Sequence, residues 1–243
     1  MTSPTPSRTP EHRPWPRAAL ALLPALLLSA CAHVGTARIE LPAELAGDLA
    51  ARAATPQAFE GLGFGREGRF TFEGQPVAYR RGADRLSLGS LATLDRATLQ
   101  ATLGSAPAEV TLDCSARRAE LSPGILVLDI RPLALRCRYD GERTATLELR
   151  DAPAAAGTRA ERQGRFDDGA VVLELRSVHR LQGSPLPLPS PAGYLLLRDG
   201  RPVAALDLND TRPRLWRGAG DDAQQRAVTL VSVALGLLWL PTP

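Results

Sequence analysis

The sequence predicts an α+β protein with one predominantly antiparallel, curved β-sheet of about eight strands. An N-terminal helix and a buried apolar C-terminal helix are expected to pack on this sheet. Short segments in which apolar and polar residues alternate recur between residues 70 and 216, as in strands that bury one face. Turn dipeptides such as Asp140-Gly141 separate several of these segments. Near each end of this region, a segment is instead apolar at helical spacing or nearly throughout.

The first expected element is a helix from Pro42 to about Ala54. Proline suits the first helical turn, and Leu41, Leu45 and Leu49 recur every four residues. A glycine-rich loop should follow over residues 61–68.

Strand patterns occupy the middle of the chain, with one exception. The expected strands are 70–72, 76–80, 109–115, 125–131, 133–139, 145–150 and 171–176. Pro132 predicts a bend, a bulge or a sheet edge where it falls between two of these strands. The broad apolar face of Thr93–Leu103 instead predicts a short helix that ends at Gly104.

The C-terminal third begins with a long exposed loop over residues 151–166, which lack an apolar period. After a stiff proline-dense connection at 184–191, a three-stranded meander is expected. Its strands are Tyr194–Leu197, Val203–Leu208 and Arg214–Trp216. Asp221-Asp222 can cap a final helix over about 223–240. Its apolar part is short for a bilayer span, which favours burial against the sheet.

Composition limits the classes of function. Hydrophobic residues make up 44% of the 243 residues, enough for a substantial core, and all 29 basic residues are arginine. From residue 31 onward there are 26 arginines and 25 acidic residues, so this part of the chain is nearly neutral. A neutral domain does not favour binding to nucleic acid, which requires a basic surface.

The N-terminal segment has the order of a secretory signal. Residues 1–17 carry three arginines, residues 18–28 are apolar, and small residues precede Cys31. Leu28-Ser29-Ala30-Cys31 resembles the lipobox of bacterial lipoproteins. An ordinary signal peptide with a chance cysteine, or an uncleaved anchor, is the alternative.

The resemblance implies a domain organisation and a location. Residues 1–30 would be a signal peptide, 31–40 a lipidated tether and 41–243 a single β-rich globular domain. Diacylglyceryl on the Cys31 sulfur and an acyl group, such as palmitate, on its amine would give stable membrane anchoring. In the lipoprotein family, an Asp directly after the cysteine favours retention in the inner membrane. Ala32 stands at that position here, so the resemblance implies that the protein is anchored in the outer membrane and faces the periplasm.

Cys114 and Cys137 are the other two cysteines, and an exported protein would meet an oxidising compartment. In each surrounding segment the cysteine alternates with apolar residues, which predicts that both sulfur atoms face the core. These features predict a structural disulfide. A redox Cys-x-x-Cys motif is absent from the sequence, and His33 and His179 are too few to complete a metal site.

No motif predicts a catalytic, metal-binding or cofactor-binding residue. Gly63-x-Gly65-x-x-Gly68 matches the letters of a dinucleotide motif, but a strand rather than a helix is expected to follow it. Ser177 and His179 lie two residues apart, which places them on one face of a strand without a nucleophile-elbow motif.

Three functions are therefore compared. The first is a non-enzymatic envelope scaffold or assembly protein that binds another envelope protein. The second is a carrier of a lipid or another hydrophobic ligand, held between a curved sheet and the apolar helix. The third is a periplasmic hydrolase that uses His179 and distant acidic residues.

Overall fold

The described chain forms one antiparallel sheet of 12 strands and two helices. A computed structural model describes residues 37–89, 91–121, 128–152, 161–210 and 212–238. In the sheet, the strands follow the order β1-β12-β11-β10-β9-β8-β7-β6-β5-β4-β3-β2. The strands are β1 Gln57–Ala58, β2 Glu67–Phe72, β3 Gln75–Leu88, β4 Ala92–Leu103, β5 Val110–Leu121, β6 Leu128–Asp140, β7 Ala145–Asp151, β8 Arg162–Asp167, β9 Val172–Val178, β10 Gly193–Arg198, β11 Arg201–Asp207 and β12 Arg214–Arg217. The helices are α1 Ala43–Ala51 and α2 Asp222–Leu237.

The two edges of this sheet meet, so that it forms a nearly closed barrel. Glu60, just after β1, forms an isolated bridge with Thr71 of β2. Two backbone hydrogen bonds of 2.9 Å join these residues, one in each direction. Closure satisfies backbone groups that an open edge would leave unpaired.

Helix α1 packs on the outside of the barrel. Leu45 and Leu49 are buried and belong to a small apolar cluster with Val178, Ala192 and Ala205 of the neighbouring strand segments. Ile39 joins this cluster and pairs with Leu181, so the chain is already attached to the barrel at this residue. The leucine spacing that predicts this helix thus describes its buried face.

Helix α2 lies in the interior of the barrel. Its apolar residues Val231, Ala234 and Leu235 belong to the main core together with inward-facing residues of the strands. The buried hydroxyl of Tyr139 donates to the Leu230 carbonyl at 3.3 Å. At the helix start, the predicted cap is confirmed, because the Asp221 side chain accepts from the Gln224 amide at 2.7 Å.

The strand count of about eight is wrong: the sheet has 12 strands, and they include two segments expected to be a helix and a loop. Thr93–Leu103, expected to be a helix, belongs to β4, in which buried and exposed residues alternate. Within the expected loop 151–166, Arg162 begins β8. Residues 128–140 form one strand instead of two, and its register with β5 shifts near Pro132 between Arg117 and Glu120. The expected irregularity at the proline is therefore present within a continuous strand.

Candidate interaction surface at one end of the barrel

The connections between strands alternate between the two ends of the barrel because neighbouring strands are antiparallel. One end, here called the distal end, carries the connections after β2, β4, β6, β8 and β10 and the start of α2. The opposite end, here called the rim end, carries the connections after β3, β5, β7, β9 and β11. Both described ends of the chain lie at the rim end. The Ala37 carbonyl accepts from the side chain of Asn209, which follows β11. Leu238 follows the end of α2, where Arg81 donates to the Leu237 carbonyl.

Every exposed large apolar side chain in the described part of the chain lies at the rim end. Their exposed fractions run from 36% for Leu121 to 76% for Phe64. Single exposed leucines are common on protein surfaces, but collection of the whole set at one end marks a surface. This set, here called the apolar rim, is Phe64, Leu86, Leu88, Leu91, Leu94, Leu121 and Leu186.

Five of these leucines lie where strands β3–β6 extend beyond their neighbours. Strand β6 begins at Leu128, whereas its pairing with β7 begins at Ala134. Interior-facing Tyr79 and Arg81 are buried, so alternation along β3 places Leu86 outside the barrel. The extension therefore has an outer face that no described element covers.

Strand register makes the outer face of this extension continuously apolar. Leu86 pairs with Leu94, which in turn pairs with Ala119 of β5. In the next outward row, Leu88 pairs with Ala92 and Ala92 with Leu121. Cross-strand neighbours lie within side-chain contact distance, so these residues form one patch across three strands.

The row just below this patch is charged. Asp84 pairs with Arg96, and Arg96 pairs with Arg117, with all three residues exposed. Two guanidinium groups and one carboxylate therefore border the apolar residues on the same outer face.

On the inner side of the rim end, buried charges are paired and hydrogen-bonded. Arg162 contacts Asp151 at 3.3 Å and donates to the Tyr194 hydroxyl at 3.3 Å. Burial raises the pKa of Tyr194, so this phenol stays protonated. The cluster joins β7, β8 and β10, and its geometry explains how a buried arginine is accommodated in the barrel.

Arg81 closes the same end of the interior beneath α2. Its guanidinium donates to the carbonyls of Gly63 at 2.7 Å, Gly65 at 3.0 Å and Leu237 at 3.0 Å. Burial lowers the pKa of Arg81, although an arginine with this intrinsic basicity remains charged. The positive charge lies at the C-terminus of α2, where the helix dipole favours a cation. The glycine motif therefore supplies carbonyl acceptors, and strand β2 follows it.

Ser177 and His179 do lie together, but their arrangement favours a structural function. The Ser177 hydroxyl lies 3.0 Å from His179 Nε2, and His179 Nδ1 lies 3.0 Å from the Leu188 carbonyl. In the neutral imidazole, Nδ1 carries the proton and donates to that carbonyl, and Nε2 then accepts from the serine hydroxyl. Ser177 also accepts from the Arg162 amide at 2.9 Å. A carbonyl, rather than a carboxylate, therefore orients the imidazole, and the pair ties β8 and β9 to the proline-rich connection.

Helix α2 leaves little free volume inside the barrel. A pocket of about 340 Å³ opens at the distal end beside Thr229 and Leu230 of the helix. Next to it, the space between the helix and the strands measures about 10 Å³ and is lined by apolar residues that include Leu112, Tyr139 and Val233. This is at most the volume of a single water probe, and far below that of a lipid chain.

The cysteine predictions differ in their outcomes. Cys114 and Cys137 pair directly across β5 and β6 and are joined by a disulfide that faces the core. Cys31 and its tether up to residue 36 lie outside the described residues. Sequence reasoning missed the apolar rim, although the leucines at 86, 88, 91 and 94, close together with few charges, were a visible signal.

Comparison with known proteins yields no relative. No family model matches the chain, and neither a curated protein nor a solved structure matches it. Across the described ranges, no cluster of three or more His, Cys, Asp or Glu side chains could hold a metal ion. No helix in the described part of the chain is long and apolar enough to cross a membrane.

Proposed function

We propose that this protein is an outer-membrane lipoprotein, anchored by acyl chains on Cys31, that acts without catalysis by binding another protein of the cell envelope. The observation that carries the binding function is the filled interior of the barrel. Because α2 packs among the inward-facing apolar residues of the strands, the surfaces offered to other molecules are external. The sequence at Leu28–Cys31 supports the anchor.

The anchor is tested by the mass and location of the protein. Wild-type protein extracted from membranes should begin at Cys31 and carry the mass of its acyl chains. Cys31→Ser should abolish the added mass and the cleavage that depends on it. A wild-type protein whose mature N-terminus lies elsewhere, without acyl mass, contradicts the anchor.

Partner binding is tested by photo-cross-linking in intact cells. A photoreactive amino acid at Arg143 or Asp199 would place the probe on exposed turns of the distal end, which faces away from the rim. A discrete covalent adduct with one envelope protein is expected. The matched control carries the probe at Glu174, on the exposed outer face of β9. No adduct at either distal position, or the same adducts at the control position, counts against a specific partner at this end.

A carrier of a hydrophobic ligand is the second candidate, and the position of α2 supports it. The helix is the last described element, and the inner surface that it covers is apolar on strands such as β6 and β9. Withdrawal of α2 would open an apolar chamber. Native mass spectrometry of gently purified protein distinguishes the candidates, because a lipid-sized adduct favours the carrier and a bare protein mass favours the interaction protein.

A further inference from the structure

We infer that the apolar rim is a second membrane-contacting site, which inserts its leucines into the surface of a phospholipid bilayer. The inference rests on the proposed anchoring of Cys31, and it adds the orientation in which the barrel meets the membrane. It assigns a lipid surface, rather than a protein, as the occupant of the outer face of the β3–β5 extension.

The first argument is where the described chain begins. Ala37 lies at the rim end, since its carbonyl accepts from the side chain of Asn209, which follows the end of β11. Cys31 precedes Ala37 by six residues, and six residues span at most roughly 20 Å even when fully extended. An acyl anchor on Cys31 would therefore hold the rim end, and not the distal end, close to the bilayer.

The second argument is the distribution of apolar side chains between the two ends. The seven exposed large apolar residues found among the described residues all lie at the rim end, on three strands and three connections. Leu186 lies in the connection between β9 and β10, and Phe64 lies before β2, so the set is wider than one hairpin. A planar apolar surface such as a bilayer would engage an end with this distribution.

The third argument is the charged row below the leucines. Arg96 and Arg117 are neighbours on the outer face, one row below the pair Leu86–Leu94. Leucines that enter the acyl region would bring these guanidinium groups to the level of the lipid phosphates, where arginine binds well. Asp84 shares the row, so the apolar residues must supply most of the affinity.

The test uses vesicle flotation of the mature chain with Cys31→Ser, exported behind a conventional cleavable leader so that no acyl chain contributes. Vesicles contain either neutral phospholipid alone or neutral and anionic phospholipid at three to one. The test variant combines Leu86→Ser, Leu88→Ser and Leu94→Ser, which are exposed positions. The matched control combines Thr98→Ser, Gln100→Ser and Thr111→Ser, exposed residues of the same sheet outside the patch.

The Cys31→Ser protein with the native rim and the control variant should float with both kinds of vesicle. The partition coefficient of the leucine variant should be about tenfold lower. Circular dichroism checks its fold, and the single change Leu88→Asp replaces it if the triple variant does not fold. Absence of wild-type binding overturns rim insertion, and leaves the Cys31 anchor to its own mass measurement. Equal binding by the leucine variant would mean adsorption through arginine alone and also overturns it. Rim insertion is also overturned if the protein with the native rim dimerises but does not bind vesicles, and the leucine substitutions abolish the dimer. The rim would then bind a second copy of the chain.

Discussion

Arg81 offers a sharp test of how the barrel and its inner helix depend on each other. Arg81 is 5% exposed. Its guanidinium donates to two loop carbonyls and to the carbonyl of Leu237 at the end of α2. Arg80, the preceding residue of the same strand, faces the opposite side. Its side chain is 76% exposed and forms one surface ion pair with Glu67. The two arginines differ in environment but not in chemistry.

The expected cost of Arg81→Met follows from its three hydrogen bonds. The bond to Leu237 is buried and the two loop bonds are partly buried, so at about 1 kcal/mol net for each bond the loss is at most about 3 kcal/mol. In a domain of this size, that free energy lowers the unfolding temperature by about 6–12 °C. Arg80→Met removes only a solvent-exposed ion pair and should cost less than about 1 kcal/mol. Methionine keeps much of the length of either side chain.

Urea unfolding of the two variants, followed by circular dichroism with the disulfide intact, measures both free energies. Hydrogen exchange should also show faster exchange near the C-terminal turn of α2 in Arg81→Met but not in Arg80→Met. Arg81→Lys should recover only part of the loss, because one ammonium cannot reproduce the planar fork. Equal effects of Arg81→Met and Arg80→Met would refute the assigned role of the buried arginine.

Three further predictions concern the free energy of unfolding. Glu73→Gln leaves the partly buried Arg217 without its ion-pair partner and should cost about 2–3 kcal/mol by urea titration, and no loss would contradict the pairing. Replacing Cys114 and Cys137 together by alanine should cost about 3 kcal/mol, since the disulfide closes a loop of about 24 residues; reduction of the wild type should match it. A backbone amide two residues on holds the pKa of Asp167 below its usual value. The stabilisation that ionised Asp167 contributes is complete above its pKa of about 4 in the unfolded chain, and it is lost as the pH falls through its lower pKa in the folded protein. Asp167→Asn should therefore reduce the change of the unfolding free energy with pH in that range.

Features set by local chemistry could be predicted from the sequence. The cap at Asp221 needs only an acceptor in front of a helix, and the leucine repeat of α1 needs only helical spacing. The disulfide followed from two alternating segments, because alternation fixes which side chains face inward. None of these features depends on the number of strands in the sheet.

Strand β4 escaped prediction because its pattern is inverted near the rim. Asp95 and the small residues Ala97 and Ala101 face inward and are buried, whereas Leu94 faces outward. Inward alanines make room for α2, and the buried carboxylate of Asp95 binds Arg85 at 2.6 Å. A rule that places apolar residues inside and polar residues outside therefore holds only from Arg96 to Leu103 and fails at Leu94 and Asp95. Helical spacing then becomes the better match by default.

Strand β8 escaped for a related reason. Its inward residue Arg162 is compensated by Asp151 from the adjacent strand, a pairing that only the fold brings together. Gly164 lies against the backbone of Glu148, where a larger side chain would not fit. Neither residue carries an apolar signal, so the segment resembled a loop. Closure of the barrel was likewise invisible, because it depends on backbone bonds between Glu60 and Thr71 rather than on side chains.

The two apolar surfaces of this protein differ in how they are covered, and that difference connects its fold to the proposed function. The inner surface of the sheet is covered by α2, a segment of the same chain, so its burial stabilises the fold. The outer leucines near β3–β5 gain no such burial and contribute little to folding. An apolar patch retained there, at the same end of the barrel as the described start of the chain, is accounted for if the bilayer holding Cys31 covers it. Substitution of the rim should therefore change membrane binding and leave the unfolding free energy of the barrel nearly unchanged, whereas substitution at Arg81 should do the reverse.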